Sequence, residues 1–189
     1  MINNVILVRH GESLTNAMNV VSDLFDKYPL TERGILQAQK IADELKTLKI
    51  DAIVSSPILR ARETAAIIAE KLSMNFTIDE RLREIRMGKF NEKNISDVPK
   101  FTYETNVLES WSEIENRMID VMNSYSGNVI LISHGFPIRV LVAHYLGLKE
   151  DESYGIYINF ATVTAINSEK MVISIGSPRI TDKIQKYFC

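Results

Sequence analysis

Apolar residues follow two patterns along this chain. Residues 5–8 form an unbroken apolar run, and 128–132 carry another after Asn128. Such runs predict strands buried on both faces, as in a parallel sheet. Shorter apolar stretches at 50–54 and 76–78 predict two further strands. Between them, apolar positions step by three and four. One set is Ile35, Ala38, Ala42, Leu45 and Leu48; a second is Ile58, Ala61, Ala65, Ile68 and Leu72. A third is Trp111, Ile114, Met118, Val121, Met122 and Tyr125, and a fourth Ile138, Leu141, Val142 and Tyr145. That spacing predicts helices with one buried stripe each. Thr31 is the expected N-cap of the first, and Ser110 with Glu113 form a capping box for the third. Ser56 is the expected N-cap of the second, with Pro57 at its first helical position. Pro137 opens the fourth, and Gly147 stops it. Residues 156–166 and 171–175 predict two closing strands, joined by a hairpin turn at 167–170.

Two stretches lack periodicity. Residues 14–25 predict loop and short helix, followed by a turn over 26–31. Residues 79–106 are charged and broken by Gly88 and Pro99, which predicts a long surface excursion with a flap at about 84–106. Strand and helix otherwise alternate. The expected fold is therefore a three-layer α/β sandwich, its mostly parallel central sheet flanked by helices, in a single domain over residues 1–189.

Composition narrows the function classes. The 46% apolar content supplies a core, and a domain of this size buries about 70% of its unfolded surface. Lys and Arg number 22 against 24 acidic residues, a formal charge of -2. Nucleic acid and anionic membrane are therefore not expected partners, and any basic site must be local. Cys189 is the sole cysteine, which rules out an internal disulfide and a thiolate metal cluster. As the last residue it is also no prenylation box. There is no basic leader and no apolar stretch of membrane-spanning length. A cytoplasmic protein is expected. The oligomeric state is not readable from these features.

The strand ends carry the chemistry. The first run ends in Arg9 and His10; the second leads to Ser55, Ser56 and then Arg60. The third leads to Glu84, and the fourth to His134. In a parallel sheet these ends share one edge, where α/β proteins bind ligands. Two arginines suit phosphoryl oxygens, a histidine can act as nucleophile, and a carboxyl can protonate a leaving oxygen. Such a set suits phosphoryl transfer.

Several motifs, in order, resemble those of the histidine phosphatase superfamily, the phosphoglycerate mutase-like proteins. They are RHGES followed by Asn16, YPLTERGILQAQ, SSPILRARETA, LREIRMGKF, VILISHGFPIRVL and YINFATVTAI. The similarity covers nearly the whole chain. It implies that His10 becomes phosphohistidine, that Arg9, Arg60 and His134 hold the phosphoryl oxygens, and that Asn16 helps hold the phosphate. Glu84 is implied as the acid, and then as the base for water. The ligand implied is a small phosphorylated substrate or inorganic phosphate, with no metal or organic cofactor.

The motifs also show departures. Family phosphatases often carry an acidic or neutral residue where Arg86 stands, and a glycine near Lys93. Mutases have Trp where Thr15 stands and a Tyr–Gly pair after the acid, where this chain has Met87. These favour a phosphatase. A phosphoglycerate mutase or bisphosphoglycerate phosphatase is the alternative, and a non-catalytic phosphoester-binding protein is the alternative from another class. Glu80 competes with Glu84 as the acid, and Ser22 falls where some relatives place a phosphate-binding hydroxyl. His144 has no motif and is read as packing or surface. From Arg81 to Lys100 there are six bases against three acids. If that excursion overhangs the pocket, Arg86 and Lys89 would favour substrates with a second anionic group.

Overall fold

The four apolar runs lie side by side. In the computed structural model, which describes residues 2–188, strands β1 (Ile2–Arg9), β2 (Ala52–Ser55), β3 (Thr77–Ile78) and β4 (Gly127–Ser133) run parallel. The expectations for Cys189 lie outside the described residues. Strands β5 (Val163–Ile166) and β6 (Val172–Ser177) complete a six-stranded sheet in the order β3-β2-β4-β1-β5-β6. Of the neighbouring pairs, β1–β5 and β5–β6 are antiparallel, so the sheet is mostly parallel, as expected.

Helices cover both faces. Along β1, Val5 and Leu7 point to one side, where they pack with α4 (Trp111–Ser124) and α5 (Gly135–Leu146). Ile6 and Val8 point to the other and pack with α2 (Glu32–Leu45), α3 (Leu59–Leu72) and α6 (Asp182–Phe188). The period-two alternation of each strand thus feeds two cores. A four-residue helix, α1 (Leu14–Ala17), follows β1.

Local signals set most of these boundaries. Thr31 caps α2 by accepting from the Gly34 amide, and the Ser110–Glu113 capping box starts α4. Gly147 ends α5 in the left-handed region at φ 69°. The turn at 167–170 closes through the Asn167 amide donating to the Met171 carbonyl.

Four expectations are corrected. Ser56 does not cap α3, and Pro57 is not its first residue: the helix begins at Leu59 after Ile58. Ile35 is 40% exposed; Ile41 takes the buried position instead. The strand expected over 156–166 shrinks to β5, because residues 156–161 turn inward to meet β1. The Ala161 amide donates to the carbonyls of Arg9 and His10, with Ala161 at φ 48°. Helix α6 was not anticipated; it buries Ile184 and Phe188 under β6 and α2.

The excursion after β3 contains only four 3-10 turns before α4. Backbone bonds lace it to the loop after α1: the Val21 amide donates to Lys93, Glu92 to Val21 and Ile95 to Asn19. Among the described residues, no helix is long and apolar enough to cross a membrane.

Candidate active site

Strand register brings the chemistry together. Arg9 pairs with Ser133 and Ser55 with Ile132, so the residue after each strand emerges at one edge. The His10 amide donates to the Ser133 carbonyl at 3.1 Å, and the Ser56 amide to Ile132 at 2.9 Å. The rings of His10 and His134 stand 5.0 Å apart. The turn after His10 explains why two distant motifs each carry glycine. A Cβ on Gly11 would lie 2.4 Å from the Gly34 carbonyl oxygen, and one on Gly34 would lie 1.9 Å from that of Glu12. Only bare backbone fits there.

His10 is almost fully buried. Its Nδ1 lies 2.6 Å from the Gly11 carbonyl, which can only accept, so Nδ1 carries the proton. Nε2 keeps its lone pair and accepts from Arg60 Nε at 3.2 Å. Burial, then the charges of Arg60 and Arg9, holds the His10 pKa well below its ordinary value. The neutral imidazole that a nucleophile needs is therefore the resting form.

The arginines are anchored at one end and open at the other. Arg9 Nη1 donates to the Ile158 carbonyl at 2.6 Å, and its guanidinium sits 4.0 Å over the Phe160 ring. Arg60 Nη2 donates to the Ser22 carbonyl at 2.9 Å. Burial lowers the Arg60 pKa to about 10, which leaves it charged at neutral pH. Arg9 Nε and Arg60 Nη1 are buried without a hydrogen-bond partner.

His134 is fully buried, and its Nε2 lies 2.8 Å from Ser56 Oγ. Ser56 Oγ also accepts from the Ile58 amide at 3.3 Å, and its own proton can go to Nε2. When Ser56 donates, the imidazole proton sits on Nδ1, which is buried and unpartnered. The position expected to cap a helix instead orients a ring. Burial, then Arg60 and His10, holds the His134 pKa well below its ordinary value. In the free site this histidine is neutral; a phosphate dianion against Nδ1 would favour its protonated form.

Glu84 Oε2 stands 3.7 Å from His134 Nδ1, and the Glu84 side chain is 15% exposed. Burial raises its pKa, against the pull of Arg60, the Ile85 amide and Arg9. With Glu84 shifted up and His134 shifted down, the pair is not an ion pair in the free site. The loop carrying Glu84 is clamped from behind. Arg117 Nε and Nη2 donate to Glu109 at 2.8 and 3.1 Å, and Arg117 also reaches the carbonyls of Arg81 and Glu84. Glu109 in turn takes Arg83 Nη2 and the Arg86 amide.

A cavity of about 450 Å³ contains Arg9, His10, Asn16, Arg60 and Glu84 in its walls, within the usual 300–1,000 Å³ of small-molecule sites. Asn16 Oδ1 accepts from the amide and hydroxyl of Ser13, so its amide group is the part left for a ligand. Ser22 also lines the cavity, but its hydroxyl accepts from the Leu24 amide at 3.2 Å. His144 lies at the surface, with Nδ1 3.0 Å from Glu115. Among the described residues, no cluster of three or more potential ligands could hold a metal ion.

Comparison with known proteins fits this geometry. The family model of the histidine phosphatase superfamily, branch 1, matches residues 5–177. The chain belongs to the histidine phosphatase superfamily. It is 34% identical over 96% of both chains to 2,3-bisphosphoglycerate-dependent phosphoglycerate mutase of Thermoplasma acidophilum. It is 30% identical, over 86% of this chain and 88% of the other, to a Hydrogenobacter thermophilus protein provisionally named phosphoserine phosphatase 2. Its fold matches YhfR of Bacillus stearothermophilus with a TM-score of 0.80, at 22% identity over 95% of this chain and 98% of that one.

In this superfamily member, sequence reasoning missed two residues at the site. Ser56 looks like a helix cap in the sequence. Arg139 lies inside an apolar helix, where a lone cation among Pro137, Ile138, Val140 and Leu141 is a usable signal. Arg86 and Lys89 are not in the walls of the cavity; Arg86 pairs with Glu113 at the surface, 3.3 Å away. Of the six bases from Arg81 to Lys100, only Lys100 lines it.

Proposed function

We propose that this protein is a phosphomonoester hydrolase acting on a small phosphorylated metabolite through a phosphohistidine on His10. The observation that carries this reading is the aim of His10. Its Nδ1 proton is tied to Gly11, so Nε2 is the nitrogen that carries a lone pair; in the free site Arg60 Nε donates to it, and unpartnered nitrogens of Arg9, Arg60 and His134 lie in the same cluster. Those donors suit the equatorial oxygens of a transferring phosphoryl group.

In the first step His10 Nε2 attacks phosphorus and the ester P–O bond breaks. Glu84, whose pKa burial raises, gives its proton to the departing oxygen. In the second step the Glu84 carboxylate takes a proton from water, whose oxygen attacks phosphorus and breaks the P–N bond. Inorganic phosphate leaves. Asn16 steadies the phosphate from the cavity wall, and residues 84–106 serve as a flap over it, within a single-domain chain.

Rapid quench with labelled p-nitrophenyl phosphate should trap an acid-labile, base-stable label. His10→Ala should lose both the label and turnover. Turnover retained in that variant would overturn the assignment.

The similarity to the Thermoplasma mutase supports a second reading, in which the phosphoryl group on His10 passes to a hydroxyl rather than to water. Release of inorganic phosphate, measured with and without a phosphoglycerate acceptor, separates the two.

A further inference from the structure

The cavity continues past the groups that phosphoryl transfer requires. Its outer wall includes Arg139 and Phe136 from α5, Lys100 and Thr102 from the excursion, and Tyr154. Arg139 lies five residues beyond His134, about 7 Å further along the helix axis. Its guanidinium sits 4.6 Å over the Phe136 ring and 5.8 Å from that of Tyr154. Lys100 Nζ sits 3.7 Å over the other side of the same wall, on Tyr154. The aromatic faces hold both cations in place without neutralising them.

Arg139 Nε is buried and has no hydrogen-bond partner. The acid closest to being its counterion, Glu150, is already engaged: its two oxygens accept from the Thr102 amide at 2.6 Å and the Thr102 hydroxyl at 2.7 Å. Burial lowers the Arg139 pKa, and Glu150, Tyr154 and Glu84 offset this only in part. A buried arginine nitrogen left unpaired is costly unless a ligand completes it. Arg9, Arg60 and His134 already account for one phosphoryl group. Arg139 and Lys100 are then surplus positive charge in the same cavity.

We propose that Arg139, assisted by Lys100, binds a second anionic group on the alcohol half of the substrate, so that the preferred ester joins its phosphate to a carboxylate or second phosphoryl group through a short carbon chain. This rests on the hydrolase reading above. It moves the second-anion role from Arg86 and Lys89, where charge density along the chain had placed it, to a residue on α5. Arg139 supplies a planar fork that suits either oxyanion. Lys100 supplies a second positive charge, already held at the cavity wall over Tyr154.

The test compares three esters of one carbon skeleton: glycerol 3-phosphate, 3-phosphoglycerate and glycerol 1,3-bisphosphate. The wild-type protein should prefer at least one of the latter two, and which one identifies the second anion. Arg139→Gln should lower kcat/KM for the preferred anionic ester about 10- to 100-fold more than for glycerol 3-phosphate, the worth of a charge-assisted hydrogen bond. The loss should fall mainly on KM. Arg139→Lys should recover part of it, and Lys100→Gln should show a smaller loss of the same kind. Thermal melting checks that each variant is folded; if Arg139→Gln is not, the Lys variant and Lys100→Gln carry the same comparison. Equal losses on neutral and anionic esters would overturn the proposal. So would a wild-type protein that turns over all three esters alike. A wild-type protein that hydrolyses no ester, p-nitrophenyl phosphate included, would instead count against the hydrolase reading.

Discussion

The floor and the roof of the cavity are built by different physics. The floor is the carboxyl edge of β1, β2 and β4, where Arg9 ends β1 and His10, Ser56 and His134 directly follow strands whose central residues are buried. Parallel register places them, and a one-residue slip would turn every core side chain to the wrong face. The roof is the loop after α1 together with residues 79–109. It has almost no regular structure; Leu82, Ile85, Met87 and Leu108 anchor it in the core, and polar contacts tie its outer parts together. Asp23 accepts from the Met87 amide at 2.9 Å and from the Asn91 side chain; Lys27 and Tyr28 both reach Glu92. Glu109 and Arg117 pin the part that carries Glu84. In the proposed mechanism the nucleophile and its oxyanion donors thus belong to the strand-built half, while the proton donor and Lys100 belong to the half built from loops and charge pairs. Phosphoryl capture should therefore tolerate damage that proton delivery does not.

The strongest way to break that comparison is Glu84→Gln. General acid help is worth about 10²–10⁴-fold, but only when the leaving group is a poor one. The variant should slow single-turnover phosphorylation by an alkyl phosphate far more than by p-nitrophenyl phosphate. In the parent protein the alkyl rate should fall as pH rises through the raised pKa of Glu84, because the acid must be protonated; the variant should lack that limb. Equal losses on both esters would make Glu84 a mere wall of the cavity and turn attention to Glu80.

Glu109→Gln tests the clamp. It leaves Arg117 buried with its charge uncompensated, a loss of about 3–5 kcal/mol, or about 6–20 °C in Tm for a chain of this length. If the roof alone loosens, alkyl-ester turnover should fall more than aryl-ester turnover at a temperature where the variant is folded. A parallel fall would mean that floor and roof unfold as one unit.

Ser56→Ala sharpens the floor. Losing one hydrogen bond should cost up to about 10-fold in kcat, with a changed pH profile as the His134 tautomer is freed. Ser56→Thr, which keeps the hydroxyl, should recover part of it. A drop in stability with an unaltered pH profile would reduce Ser56 to packing. The smallest effect is expected from Arg86→Gln with Lys89→Gln. Neither side chain lines the cavity, so KM for anionic and neutral esters should both stay within about twofold, as for other surface charges. A selective rise for anionic esters would return the second-anion role to the excursion.

Much of the floor could be read from the chain because local rules suffice there. An apolar run that ends in Arg9 and His10, and another that ends in His134, say that two charged or titratable groups leave a buried strand. Parallel strands then bring such ends together. Thr31, Ser110 and Gly147 marked helix ends through bonds made within a few residues. Ser56 misled because a serine before a proline suits a cap equally well, and its real partner, His134, lies 78 residues away. Ile35 misled because helical spacing alone leaves the exact edge of the buried stripe open.

The sequence by itself determined the layers, the alternation of strands and helices and the group of residues that stand at the strand ends, since periodicity and strand ends are local properties of a chain. Tertiary structure alone decided how the roof closes, which of its cations face the cavity, and that Arg139 joins them. Those outcomes depend on pairings between distant charges: Arg86 is drawn to Glu113 at the surface, Glu150 is held by Thr102, and Arg139 is left in the cavity wall without a partner. A list of charges along the chain cannot say which of them will find each other.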